Sequence, residues 1–291
     1  MFLIVRNSRG LTLIELLVSL VMLGMIGGVT YGFLANTQRI TRSQSELVNL
    51  QSNVRTGILV VPSELREIGV GGGGSDILSL GSSGIIYRAA RGLGFTCQVS
   101  ASEIRISNAP ATPYFGLRAI VPGRDSLFLF VERTPGISSD DVWVRLAVSS
   151  VNSASTCGTD PAIALGVANL GSVVPGGIGS LVAGGPVRPF EVMELRLYSS
   201  GGKFWLGARS VSGGEPSLQP VLGPLTANGF ELDYFDVAGA PTSNRFQVRT
   251  LRVAIRGVTD QLIRGPAGTG PTGYVQDSLV TTVSLRNAPI P

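Results

Sequence analysis

The first pattern along the chain is a run without charge. Leu16 to Leu34 is 19 residues with no Asp, Glu, Lys or Arg. As a helix rising 1.5 Å per residue it would span about 28 Å, close to the thickness of a bilayer's hydrocarbon core. It reads as a membrane-spanning helix; the competing reading is a buried core helix of a soluble protein. Beyond it the pattern becomes periodic. Ile40, Leu47, Leu50, Val54, Ile58 and Val61 recur at spacings of three, four and seven, with Arg39, Arg42, Glu46, Gln51 and Arg55 off that stripe. This predicts an amphipathic continuation of the same helix. Pro62 either kinks it or starts a fresh turn at its first position. Ser63 to Gly69 reads as a last helical piece ended by the glycine.

After residue 75 the period changes from helical to alternating. Strands are predicted over 85–88, 103–107, 126–133, 142–148, 191–198, 203–211, 230–236, 246–256 and 279–285, separated by Gly, Pro, Ser or Asn. Ser199-Ser200-Gly201-Gly202 has the composition of a hairpin turn. Residues 158–186 read as a Gly-rich loop with room for one short strand. Gly71 to Gly74 reads as a hinge; no Lys-Ser/Thr follows, so it is not a phosphate loop. The fold class expected is α+β: a long N-terminal helix, then a β-rich globular body.

Composition narrows the chemistry. The 291 residues contain no His, which excludes a Ser-His-Asp or Cys-His pair and any imidazole metal ligand. Two Cys cannot make a Cys-rich zinc site. The sequence points away from an enzyme, and no catalytic residue, metal site or cofactor is expected. The net charge is +4, yet residues 62–291 hold 18 basic and 17 acidic residues, so the body is close to neutral. Its densest basic segment is Arg245, Arg249, Arg252, Arg256 and Arg264. Contact with DNA phosphates is one reading of that segment; a solvated sheet face or a subunit contact is the other, and fits better. Trp143, Phe204-Trp205 and Tyr234-Phe235 fit a sheet core or an interface better than a stacking platform. Asp140-Asp141 lacks further oxygen ligands at a Ca²⁺-loop spacing and reads as a solvated turn.

The residues leading into the apolar run are more specific. Arg9-Gly10 precedes it, and one carboxylate, Glu15, sits near its start, where charge is expensive in lipid. A Glu at headgroup depth is the plain account. Ala35-Asn36-Thr37 is a poor small-x-small cleavage site for an ordinary secretory signal. The string Gly10-Leu11-Thr12-Leu13-Ile14-Glu15-Leu16-Leu17-Val18 closely resembles the class III signal of type IV pilins and type II secretion pseudopilins. The resemblance implies cleavage after Gly10 by a prepilin peptidase. It also implies N-methylation of Leu11, which stands where the family usually has Phe, and a role for Glu15 in subunit assembly. An N-terminal amine and a carboxylate are each costly in an apolar filament core, and less so when the acid of one subunit meets the amine of its neighbour. Charge does not orient the segment, since Arg6 and Arg9 before it balance Arg39 and Arg42 after it.

Weaker resemblances follow in order along the body. Ser63-Glu64-Leu65-Arg66-Glu67-Ile68-Gly69, Gly123-Arg124-Asp125-Ser126-Leu127-Phe128-Leu129, Asn228-Gly229-Phe230-Glu231-Leu232-Asp233-Tyr234, Arg252-Val253-Ala254-Ile255 and Thr281-Thr282-Val283-Ser284-Leu285-Arg286-Asn287 are similar to segments of PilW/PulJ-type minor pilins. What these imply is a leader (1–10), a transmembrane segment (11–34), a periplasmic amphipathic continuation (35–69) and a β-rich domain (70–291). The implied role is assembly, priming or capping of a type IV pilus, with links to twitching motility, adhesion or DNA uptake. The alternative within the family is a J-type pseudopilin at a type II secretion pseudopilus tip; outside it, a membrane-anchored adhesin or DNA receptor. Partners would be other minor pilins, the major pilin or pseudopilins, the prepilin peptidase and the inner-membrane assembly platform. The location would be the inner membrane, single-pass with a periplasmic body, then the pilus or pseudopilus. In a periplasmic body Cys97 and Cys157, the only thiols, are expected to pair; two buried free thiols are the alternative.

Overall fold

The computed structural model describes residues 12–71, 74–134, 136–137, 139–181, 183–264 and 272–285. A single helix, α1 (Leu13–Arg66), is followed by a β-rich body, the α+β arrangement expected from the two periodicities. α1 runs through Pro62 without ending and stops three residues short of Gly69, where the Ile68 N–H donates to the Leu65 carbonyl at 3.2 Å. The chain divides into two compact units, Met1–Leu50 with Thr259–Val275, and Gln51–Val258 with Gln276–Pro291.

In the first unit the side chains from Leu13 to Leu34 are exposed almost throughout; Leu13 is 82% and Phe33 70% accessible. The apolar run has mean hydropathy 2.1 and none of it is covered by protein, which removes the reading of a buried core helix. Its serine and threonine hydroxyls turn back on their own helix: Ser19 Oγ donates to the Glu15 carbonyl (2.7 Å) and Thr30 Oγ1 to the Ile26 carbonyl (2.8 Å). Such back-bonding satisfies a hydroxyl where no water is present. Further along, Glu46 Oε2 accepts from the backbone N–H groups of Asp260 (2.9 Å) and Gln261 (3.3 Å).

Among the described residues of the second unit, twelve strands longer than two residues alternate with turns. They are β1 (Ile77–Gly81), β2 (Gly84–Ala90), β3 (Gly92–Val99), β4 (Glu103–Ser107), β5 (Ser126–Val131) and β6 (Val142–Cys157). β7 (Asp160–Val167), β8 (Pro186–Ser200), β9 (Lys203–Ser210), β10 (Gln219–Phe235), β11 (Thr250–Val258) and β12 (Gln276–Ser284) complete the set. All pairings are antiparallel, and β8 is the strand on which the two halves of the body meet.

The start of β8 is hydrogen-bonded on both sides, to β3 through Pro186–Val187 and to β5 through Val187–Phe190. This closes a six-stranded ring in the order β8, β5, β6, β7, β4, β3. Alternation supplies its filling: in β5 Leu127, Leu129 and Val131 are fully buried while Ser126, Phe128 and Phe130 face outward. Ile104, Ile106, Val144, Leu146, Leu165 and Val187 complete that core. The region 158–186, read from sequence as mostly loop, contributes β7 and a short helix, Leu170–Val173. Small residues mask β7's pattern, but ladders on both sides hold it.

The remainder of β8 pairs with β9 and β2, giving a second sheet ordered β12, β11, β10, β9, β8, β2, β1. The hairpin from β8 to β9 turns at Gly201 and Gly202, both at positive φ (61° and 75°), as a two-residue turn that follows the sheet's twist requires. The last part of α1 packs on this sheet through Val54, Gly57, Val61 and Leu65, all buried. Gly57 is the point of closest approach: a Cβ there would sit 2.4 Å from Leu222 Cδ2 and 2.7 Å from Ile255 Cδ1. Asn53 Nδ2 donates to the Gly223 carbonyl at 3.0 Å beside it.

Candidate functional site

The described helix begins on a reciprocal cap. Thr12 stands just before the first helical residue, and its Oγ1 accepts from the Glu15 N–H (3.3 Å). Glu15 Oε2 in turn accepts from the Thr12 N–H and from Thr12 Oγ1, both at 3.0 Å. This is a capping box, in which two helix-end donors are satisfied by two side chains three residues apart. In lipid an unsatisfied N–H costs several kcal/mol, so a cap at the membrane end of a helix matters more than in water. Glu15 therefore has a partner within its own chain, and its carboxylate lies at the positive end of the helix dipole. The sequence signal for this arrangement is Thr-x-x-Glu ahead of an apolar run. Gly10 and Leu11 lie outside the described residues.

Residues 5–31 match the family model of the prokaryotic N-terminal methylation motif, the type IV pilin-like signal. None of the curated proteins and none of the solved structures matches this chain. The matched segment ends within the apolar run of α1. The chain thus carries a pilin-type N-terminus on a long apolar helix followed by a β-rich body.

Cys97, on β3, and Cys157, the last residue of β6, form a disulfide with a Cα–Cα separation of 6.1 Å. They lie 60 residues apart in sequence, and the bond ties two strands of the ring that are not neighbours in its ladder.

The basic segment does not act as one patch. Arg252 is paired with Asp233 (2.8 Å) and Arg256 with Glu231 (2.6 Å), each across the β10–β11 register. Arg249 turns back to the carbonyls of Phe246 and Val248. Arg245 goes elsewhere, donating to the Leu78 carbonyl at 3.1 Å with its guanidinium 4.9 Å from the Phe246 ring. Arg252 and Arg256, four apart on β11, share one face of the strand, and acidic residues on the paired strand neutralise both. Among the described residues no cluster of three or more Cys, Asp or Glu is placed to hold a metal ion. Asp140 Oδ2 accepts from Thr134 Oγ1 at 2.6 Å.

A buried ionic cluster joins the end of α1 to the body. Glu191 on β8 is 3% exposed; its carboxylate is held by Arg91, by Arg124 (2.6 Å), by Arg118 (3.2 Å) and by Ser210 Oγ (3.0 Å). Arg91 also reaches Glu64 of α1 at 2.8 Å, and Arg118 grips Asp125 with two bonds of 2.6 Å. Burial alone would raise the Glu191 pKa, but hydrogen bonds from Arg124 and Arg91 hold it at about 2. Burial pushes the nearby Tyr87 hydroxyl well above its ordinary value. Three of these residues, Glu64, Arg124 and Asp125, fall in segments that the sequence alone singles out. Their joint role in one cluster depends on long-range pairing that sequence spacing does not show.

Proposed function

We propose that this chain is a PilW-like minor pilin that takes part in assembling, priming or capping a type IV pilus. The observation that carries the reading is the match of residues 5–31 to the N-terminal methylation motif, on a helix whose first turn is closed by Thr12 and Glu15. A prepilin peptidase cuts after Gly10, Leu11 is methylated, and the apolar part of α1 holds the subunit in the inner membrane with the body in the periplasm. On assembly the same apolar surface, uncovered in the lone subunit, packs against other pilins. Glu15 then exchanges part of its own cap for the neighbour's N-terminal amine. The disulfide suits an oxidising compartment and supports the periplasmic placement.

Deleting the gene and imaging surface filaments tests the role. Loss of filaments, restored by the intact gene, is expected. Normal filament number and length together with lost attachment or DNA uptake would instead make the chain an anchored receptor. Loss of protein export with filaments unaffected would make it a J-type pseudopilin.

A further inference from the structure

The outward face of the strand ring carries a row of aromatic and basic side chains. Arg145 on β6, Phe128 on β5 and Arg188 on β8 are direct cross-strand partners, so all three project to the same side. One step along, Trp143 pairs with Phe130, their rings 5.4 Å apart and edge to face. Phe190 lies 4.5 Å from Phe128, and the Arg88 guanidinium sits 5.8 Å from the Phe190 ring. Trp143, 44% exposed, and Phe246, 46% exposed, stand at the rim, each with a guanidinium, Arg188 and Arg245 respectively, over one face of its ring.

Of these, Phe128, Trp143 and Phe246 line a cleft of about 820 Å³, with Phe130 and Phe190 packed behind them. Four guanidiniums enter it, from Arg88, Arg145, Arg188 and Arg245, against two carboxylates, Asp76 and Asp141. Asp76 is occupied with Arg88 at 3.7 Å and with the Gly69 N–H at 3.0 Å. The Arg145 side chain makes no hydrogen bond or ion pair among the described residues, and Asp141 Oδ1 is buried without a partner. Burial and the nearby charges of Arg145 and Arg245 lower the Arg88 pKa, which expresses the same crowding of positive charge. The cleft carries more cationic than anionic side chains. It also has flat rings, and it has an acceptor suited to an N–H donor.

We infer that this cleft binds a short stretch of single-stranded nucleic acid, its phosphates on Arg145, Arg188 and Arg245, with unstacked bases against Trp143 and Phe246. Phosphates answer the excess guanidinium charge, and arginine's planar fork matches their oxygens. Base faces stack on aromatic rings whatever the sequence, and a base amine supplies the donor that Asp141 lacks. A duplex keeps its bases stacked and offers the rings nothing. An acidic glycan would answer the charge and could lay C–H faces on the two exposed rings, but it lacks the planar π face that stacks on them, so it enters the test as the competing ligand.

The test uses the full chain in detergent, a fluorescein-labelled 12-mer of mixed single-stranded DNA, and anisotropy at several salt concentrations. Saturable binding is expected, with Trp143→Ala weakening it roughly tenfold or more. Arg145→Gln and Arg188→Gln should each weaken it and each flatten the log–log salt slope by about 0.7. Arg252→Gln, outside the cleft, should leave binding unchanged and controls for net charge. Arg145 is exposed and holds no other group, so its variant should fold; unchanged urea unfolding confirms that. Absence of saturable binding at low salt overturns the inference. So does binding that survives Arg145→Gln with Arg188→Gln, tighter binding of the duplex, or capture of polygalacturonate in place of the oligonucleotide. None of these outcomes bears on filament assembly.

Discussion

Glu15 Oε2 accepts two hydrogen bonds from Thr12, one from its N–H and one from its hydroxyl, both at 3.0 Å. The acid of the pilin-type signal is thus a helix cap within the lone subunit before it is anything else. Two roles for one carboxylate can be separated by substitution. Gln at a capping-box position still accepts from the backbone N–H, whereas Ala does not. Glu15→Gln keeps the cap and loses the charge; Glu15→Ala loses both.

If the charge serves assembly, both variants should enter filaments poorly while remaining in the membrane and still being cut after Gly10. Removing one member of a buried ion pair costs ~3–5 kcal/mol, enough to shift incorporation strongly. Quantifying the subunit in sheared filaments against the membrane fraction measures this. Normal incorporation of Glu15→Gln would show that the cap, not the charge, is what assembly needs. Normal incorporation of Glu15→Ala would remove the residue from the assembly account.

The disulfide closes a 60-residue separation and should stabilise the body by roughly 3–5 kcal/mol through loss of unfolded-state freedom. Denaturant unfolding of the full chain with and without reductant should show that difference. Non-reducing peptide mapping should recover Cys97 joined to Cys157. Free alkylation of both thiols in the native, unreduced protein would contradict the pairing.

Glu191 sets an acid limit on stability. Its folded pKa, about 2, lies below the ~4.3 of an unfolded Glu, so the folded state favours its ionised form. The stability this contributes is present above the unfolded value and is lost as pH falls through that value towards 2. Urea midpoints should therefore decline between pH 5 and pH 2. Glu191→Gln should lower stability at neutral pH by ~3–5 kcal/mol, because three arginines lose a buried partner, and should flatten the decline. An unaltered acid profile in that variant would assign the decline to other carboxylates.

Gly57 tests the packing of α1 on its sheet. A leucine there must displace Leu222 and Ile255, whose side-chain atoms stand 2.4 and 2.7 Å from where its Cβ would be. Gly57→Leu should cost ~1–3 kcal/mol despite leucine's better helix propensity, read as a lower urea midpoint. A neutral or stabilising result would mean that the helix sits further from the sheet.

What sequence reveals here follows the range of the interaction. α1 is legible because its apolar run and its stripe at Leu50, Val54 and Val61 are local patterns, although Gly57, the tightest contact, carries no hydrophobic signal. β5 is legible because Leu127, Leu129 and Val131 alternate with polar and aromatic positions. β3 and β7 are not, since Gly and Ala blur their alternation and one of the two ladders that hold each strand comes from far along the chain. The same holds for charge. Arg252 and Arg256 look like half of a basic patch until the β10–β11 register sets Asp233 and Glu231 beside them. Arg145 and Arg188, 43 positions apart in sequence, become near neighbours only because both flank Phe128 across two ladders. Thr12 and Glu15, three residues apart, are the opposite case, readable directly as a cap.

The central claim is that the N-terminus is a processed pilin signal, and intact-mass analysis of the protein extracted from membranes tests it most directly. The account predicts a chain lacking residues 1–10 and carrying one added methyl on Leu11, with Gly10→Val leaving the leader attached. A mature protein that begins near Asn36, or one that keeps its first ten residues in a strain with an active prepilin peptidase, would contradict it.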